Sequence, residues 1–218
     1  MAIEKLKNPE LVANALSTLK SQGINIELPR ELGKQIDPNI LFDGNDDLFK
    51  THIRKTKIYF EYGCGKSTLW VASQTKAKIY SVDTSEDWIN LIASSSTRPL
   101  NLFWCDVGPP GNWGRPACYA KRENFPSYTN WVWQQNEQPD LVLIDGRFRL
   151  ASFFSSMKFA KPGTKIIFDD YIDRQNYHWA EEVSPISEHN GRQALFIRPQ
   201  TIPLWIDEAI MATQHVFD

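Results

Sequence analysis

The chain has 218 residues, enough for one α/β domain with a sizeable core. Its 24 Lys and Arg nearly balance 26 Asp and Glu, so no net field draws in a polyanion and nucleic acid is not an expected partner. Hydrophobic residues make up 42% of the chain, too many for disorder, yet no apolar run approaches the roughly 20 residues of a membrane span and the N-terminus lacks an apolar signal core, which favours the cytoplasm.

Residues 1–55 read as a mainly helical preamble, with Leu11, Leu16 and Leu19 at loose helical spacing and a helix expected over Asp46–Lys55. From Lys57 the pattern becomes strands alternating with helices, the signature of a parallel sheet. Ile58–Glu61 is the first strand, Ser67–Ser73 opens a helix, and Lys78–Asp83 is the second strand. Thr84 and Asp87 have capping-box spacing ahead of a helix whose Trp88, Leu91 and Ile92 share one face. Leu100–Cys105 predicts a third strand, and Leu141–Ile144, apolar throughout, a central strand buried on both faces. Leu150, Phe153, Phe154, Met157 and Ala160 mark the next helix, and Lys165–Phe168 the fifth strand. The alternation then stops. Glu182–Ser187 and Gln193–Ile197 flank His189-Asn190-Gly191-Arg192 as a hairpin, and a short helix follows around Ile206–Ala212. The expected organisation is a preamble over 1–55, a Rossmann-like domain over 56–200, and a C-terminal helix over 201–218 packed on it.

Cys64, Cys105 and Cys118 form no CxxC pair, so reduced buried thiols are expected rather than a disulfide or zinc cluster.

The chemistry is concentrated at strand ends. Glu61, Asp83, Asp106 and Asp145 each close or follow a strand, and Asp169 and Asp170 follow the fifth. In open parallel sheets ligands bind outside the carboxyl ends of strands, at the point where strand order reverses. Gly63 and Gly65 allow a tight turn and a close approach to a ligand, and Asp83 lies where a ribose-binding acid is expected. Gly65-Lys66-Ser67 evokes a phosphate-binding loop, but the position of that loop's first glycine is Phe60, inside the strand. Thr68 stands where a dinucleotide site prefers its third glycine, so an adenosine-type ligand without pyrophosphate fits better.

The segment from Tyr59 to Pro199 resembles the class I S-adenosylmethionine-dependent methyltransferases. The residues that carry the likeness are Glu61-Tyr62-Gly63-Cys64-Gly65-Lys66-Ser67-Thr68, Asp106-Val107-Gly108-Pro109, Leu143-Ile144-Asp145-Gly146-Arg147-Phe148-Arg149 and Phe168-Asp169-Asp170-Tyr171. They are most similar to a little-characterised bacterial branch of the superfamily. The resemblance implies a mostly parallel Rossmann-like sheet with a C-terminal antiparallel hairpin and helices on both faces. It also implies that Glu61, Gly63 and Gly65, with Ser67, hold the methionine moiety of S-adenosylmethionine, Asp83 the ribose and Asp106 the adenine. Lys66 departs from the pattern, a bulky cation beside a sulfonium ligand.

Asp145, Asp169 and Asp170 supply the oxygen ligands a Mg²⁺ ion prefers, and they resemble the metal site of O-methyltransferases of the catechol and macrolide types. The competing reading pairs these acids with Arg147 and Arg149. Asp145 and His178 are the candidate catalytic residues on the acceptor side. Phe125, Tyr128, Trp131 and Trp133, with Trp113, lie in a long segment suited to a lid, a substrate wall or plain packing. The expected activity is O-methylation of a small-molecule acceptor, with or without a divalent metal, in a chain that has room for an oligomer interface. Two rivals stay open: a non-catalytic adenosine-ligand or regulatory module, and a nicotinamide-dependent oxidoreductase.

Overall fold

Alternating apolar residues in the strands are divided between two cores, one on each face of the sheet. In β1 (Ile58–Tyr62), Phe60 and Tyr62 enter one core and Tyr59 the other. In β4 (Leu141–Ile144), Val142 and Ile144 separate in the same way from Leu141 and Leu143. This two-sided burial is why the β4 run is apolar throughout. The computed structural model describes residues 40–217, so the helical reading built on Leu11, Leu16 and Leu19 lies outside the described residues.

The remaining strands are β2 (Lys78–Asp83), β3 (Asn101–Trp104), β5 (Lys165–Phe168), β6 (Glu188–Asn190) and β7 (Gln193–Ile197). The sheet order is β3-β2-β1-β4-β5-β7-β6. Strands β1 to β5 pair in parallel, and β7 joins β5 and β6 antiparallel, as the C-terminal hairpin predicts. Strand order reverses between β1 and β4, whose last paired residues are Tyr62 and Ile144.

Helices cover both faces. On one, α1 (Asp47–Ile53) and α2 (Lys66–Gln74) bury Leu48, Phe49, Ile53, Val71 and Ala72. On the other, α5 (Arg149–Phe159) and α6 (Ile206–Thr213) bury Phe153, Phe154, Met157, Ile206 and Ala209. The α1 helix falls within the stretch read as preamble, yet it packs into the same core as Tyr59.

Three local expectations change. The helix after β2, α3 (Glu86–Ser95), is capped by Ser85, whose Oγ accepts from the Trp88 amide at 3.3 Å, while the Thr84 hydroxyl donates to the Gly114 carbonyl at 2.6 Å. Its buried face is Ile89 and Ile92; Trp88 and Leu91 are exposed. The hairpin is tighter than predicted: β6 begins at Glu188, and the turn is Gly191-Arg192. Pro185 has no N–H to donate, so 182–187 is not the first arm.

The short helix α4 (Phe125–Asn130) and the 3₁₀ turn after it settle the aromatic segment. Phe125 and Tyr128 are in the core, and Trp131 and Trp133 pack against it. Trp113 alone of the five is largely exposed, at 79%. Cys64 and Cys105 are buried thiols, but Cys118 is exposed.

Candidate functional site

Glu61 is the last but one residue of β1, directly beside Ser81 in β2, so its carboxylate is enclosed by the sheet and by the first turn of α2. Four hydroxyls donate to it. Tyr59 donates to Oε1 at 2.9 Å, Ser81 to Oε2 at 2.9 Å and Thr68 to Oε2 at 2.5 Å, with Ser67 also on Oε1. Burial raises the Glu61 pKa, and the hydroxyls oppose that rise. Thr68 Oγ1 also accepts from the Gly65 amide at 2.8 Å, so Glu61 braces the turn from behind through Thr68.

The turn itself leans on β4. Gly63 has φ +93°, and a Cβ there would lie 2.6 Å from the Gly146 Cα. A Cβ on Gly146 would overlap the Tyr128 hydroxyl oxygen. Gly63 thus answers to backbone packing at the switch point. Gly65 is the open position, where only the Trp88 Nε1 comes near, at 3.7 Å from an added Cβ. Lys66, first residue of α2, is exposed.

Asp83, at the end of β2, accepts the Cys64 amide on Oδ2 at 3.1 Å and the Ser85 amide on Oδ1 at 2.9 Å. Burial pushes its pKa up to about 6, with these amides and the Arg147 charge opposing. Burial, with the negative charges of Asp83 and Glu61, raises the Cys64 thiol pKa and keeps the thiol neutral. Asp106 pairs with Lys121 and accepts the Gly108 amide at 3.0 Å, and these contacts hold its pKa below the usual value. Beside it, the loop 109–117 closes on itself through Gly111 N to Arg115 O at 2.6 Å and Ala117 N to Pro109 O at 2.9 Å. Trp113 projects from this loop with a left-handed φ of +59°. Bare backbone at Gly65 and a half-buried acid on the next strand fit an adenosine-type ligand at the switch point.

The ends of β4 and β5 carry the second half of the site. One oxygen from each of Asp145, Asp169 and Asp170 lies within 4.8 Å of the others, so the structure brings the predicted trio together. Asp170 is held at φ +55° and Phe148, before α5, at φ +52°; such left-handed non-glycine residues recur at functional sites. Arginines stand among the acids. Arg149, 3% exposed, places Nη2 3.2 Å from both Asp145 Oδ1 and Asp170 Oδ2. Arg192 Nη2 is 2.8 Å from Asp169 Oδ2, and its Nε is 3.2 Å from Asp170 Oδ1. Arg174 adds a 2.7 Å contact to Asp170. Three guanidiniums therefore meet three carboxylates.

As they stand, these donors do not fit a divalent cation. Unit charges about 4 Å apart interact by about 4 kcal/mol at an effective dielectric of about 20, so a dication beside one guanidinium is opposed by about 8 kcal/mol. The carboxylates that would offset this already have their counter-charges. Asp145 keeps 30% of its side chain open. Withdrawal from water and the Asp169 charge push its pKa well up, against the pull of Arg149.

His178 lies in a 3₁₀ segment, Gln175–Glu182, with its ring stacked on Tyr171 at 5.2 Å. Its Nε2 is 3.3 Å from the Ile172 carbonyl, which can only accept, so that nitrogen carries the proton and Nδ1 is the basic one. Arg192 and Arg174 went unread in the sequence: both reach the trio from loops after β5, and no local motif marks them. Tyr128, which the sequence marks only as one of the aromatic segment, borders the site: its hydroxyl accepts the Arg147 amide at 3.1 Å beside Gly146.

No family model and no curated protein matches the sequence. Among solved structures, a methyltransferase-like protein from Silicibacter pomeroyi matches with 27% identity and TM-score 0.70, over 84% of this chain and 97% of its own. An O-methyltransferase from Bacillus cereus in complex with SAH (S-adenosylhomocysteine) matches with 14% identity and TM-score 0.48, over 89% and 90%. An RNA methyltransferase from Salinibacter ruber in complex with S-adenosyl-L-homocysteine matches with 9% identity and TM-score 0.44, over 82% and 97%. The chain has the Rossmann-like fold of the class I S-adenosylmethionine-dependent methyltransferases. No helix among the described residues is long and apolar enough to cross a membrane.

Proposed function

We propose that this protein is an S-adenosylmethionine-dependent methyltransferase acting on the oxygen of a small-molecule acceptor. The observation that carries the reading is the β1 turn at the switch point, open at Gly65 and flanked by Asp83, in a sheet shared with a methyltransferase-like protein.

In this reading the backbone of Gly63, Cys64 and Gly65 receives the methionine moiety, while Glu61 holds that backbone in place from within through Thr68, with Ser67 also donating to Glu61. Asp83 takes the ribose hydroxyls with the lone pairs its two amide donors leave over. Asp106, steadied by Lys121, faces the adenine edge. When bound, S-adenosylmethionine supplies a methyl group on a sulfonium that becomes neutral on transfer.

On the acceptor side, Asp145 is the group to accept the proton of a substrate hydroxyl: it is partly open and its raised pKa makes it a stronger base than a free carboxylate. His178, basic at Nδ1, is the second candidate for that proton. The near-neutral chain charge supports a small molecule over a nucleic acid. The cytoplasm remains the expected location.

Calorimetric titration with S-adenosylmethionine and S-adenosylhomocysteine tests the reading. Micromolar binding of both is expected; binding of neither overturns it. Titration with reduced nicotinamide cofactor covers the oxidoreductase alternative, against which Thr68 stands, fully buried and bonded to Glu61 at the position of the missing glycine.

A further inference from the structure

We propose that the acidic trio carries its own cations: the guanidiniums of Arg149 and Arg192 take the place among Asp145, Asp169 and Asp170 that a divalent metal would otherwise fill. The inference deepens the functional reading, on which it rests only for calling this the acceptor side.

The geometry of Arg149 is the main support. Its Nη2 lies between two of the three carboxylates, 3.2 Å from each. It is rooted there by backbone: Nε donates to the Gly146 carbonyl at 3.0 Å, Nη1 to the Asp169 carbonyl at 2.6 Å, and Nη2 to the Asp145 carbonyl at 3.3 Å. Those carbonyls belong to the chain leaving β4 and β5. One planar fork thus ties the two strand ends together while it neutralises the acids they carry.

Arg192 completes the arrangement from the hairpin turn between β6 and β7. It grips the fully buried Asp169, whose Oδ1 is also held by the Gln193 amide at 2.8 Å, and reaches out to Asp43 at 2.7 Å. A metal would have to displace a guanidinium held by three carbonyls, or sit beside it.

The consequence concerns the acceptor. A metal-bearing site selects molecules that chelate, such as vicinal oxygens; a site with fixed guanidiniums makes no such demand. Positioning of the acceptor oxygen then falls to Asp145, held in register by Arg149, which is a positioning residue.

Titration of the full chain with Mn²⁺, read by electron paramagnetic resonance of the free ion, tests this without cofactor or acceptor. The wild type is expected to show no saturable site below millimolar Mn²⁺. Arg149→Met is expected to gain affinity by about tenfold or more, with the gain abolished by adding Asp169→Asn. Where Arg149→Met does not fold, Arg192→Gln serves, since Arg192 is partly exposed. A sub-millimolar site in the wild type that Asp169→Asn removes overturns the proposal, as does a folded variant that gains nothing. Because Mn²⁺ is read alone, failure to bind S-adenosylmethionine would sink the methyltransferase reading and leave this result standing.

Discussion

Gly63 and Gly146 meet backbone to backbone at the reversal point of the sheet. An added Cβ on Gly63 would be 2.6 Å from the Gly146 Cα and 2.7 Å from its amide nitrogen. The two turns that build the two halves of the site are thus a single packed unit, and neither can be altered alone.

Gly63→Ala combines this overlap with a left-handed φ, and a loss of about 3 kcal/mol is expected. Gly163→Ala is the control: φ is +86° there, but nothing lies within 4 Å of the added Cβ, so strain alone remains, about 1 kcal/mol. Urea unfolding of both variants checks the difference; equal losses would show that the Gly63–Gly146 contact yields easily.

Asp83 sets part of the pH dependence of stability. Its pKa rises from 3.8 to about 6 on folding, so within that window the folded protein binds more protons than the unfolded chain. Stability is fully present below the lower value and falls as pH rises through the upper one. Asp145, also shifted upward, contributes with the same sign. Unfolding midpoints across this range should decline, and Asp83→Asn should flatten the decline. An unchanged slope in the variant would locate the effect elsewhere.

Asp145→Asn keeps the size of the side chain and removes the base. Turnover is expected to fall about 10²- to 10⁴-fold, with S-adenosylmethionine affinity retained. His178→Gln, assayed beside it, decides between the two candidates: the variant with the larger loss at saturating acceptor identifies the proton acceptor.

Asp169→Ala leaves Arg192 and Gln193 without their buried partner. A destabilisation of about 3–5 kcal/mol is expected. Calorimetric melting would show it, and an unaltered melting point would mean the ion pair contributes little.

Lys66 should matter little. It is exposed at the start of α2, so Lys66→Ala is expected to leave S-adenosylmethionine affinity unchanged in the same titration. A marked gain in affinity would show that the cation reaches the sulfonium.

The strands were legible because their alternation is a local property: Ile58–Glu61, Lys78–Asp83, Leu141–Ile144 and Lys165–Phe168 were read within a residue of where they lie. The α3 face was misread because Trp88 and Leu91 are as apolar as Ile89, and only the packing partner decides which turns inward. The cap passed from Thr84 to Ser85 because the Thr84 hydroxyl is claimed by Gly114, 30 residues on.

The acids at the strand ends divide in the same way. Their positions follow from the sequence, since a strand must end where its apolar run ends. Their partners do not. Glu61 meets hydroxyls, Asp106 a lysine, and Asp145, Asp169 and Asp170 a set of guanidiniums. A carboxylate becomes a ligand, a brace or half of an ion pair according to what stands within about 3 Å of it. For Asp169 that partner is Arg192, 23 residues away and delivered by the hairpin turn. Local alternation specifies the strands and the row of acids at their ends; which charges meet there follows from the packed fold, because ion pairing depends on distance in space.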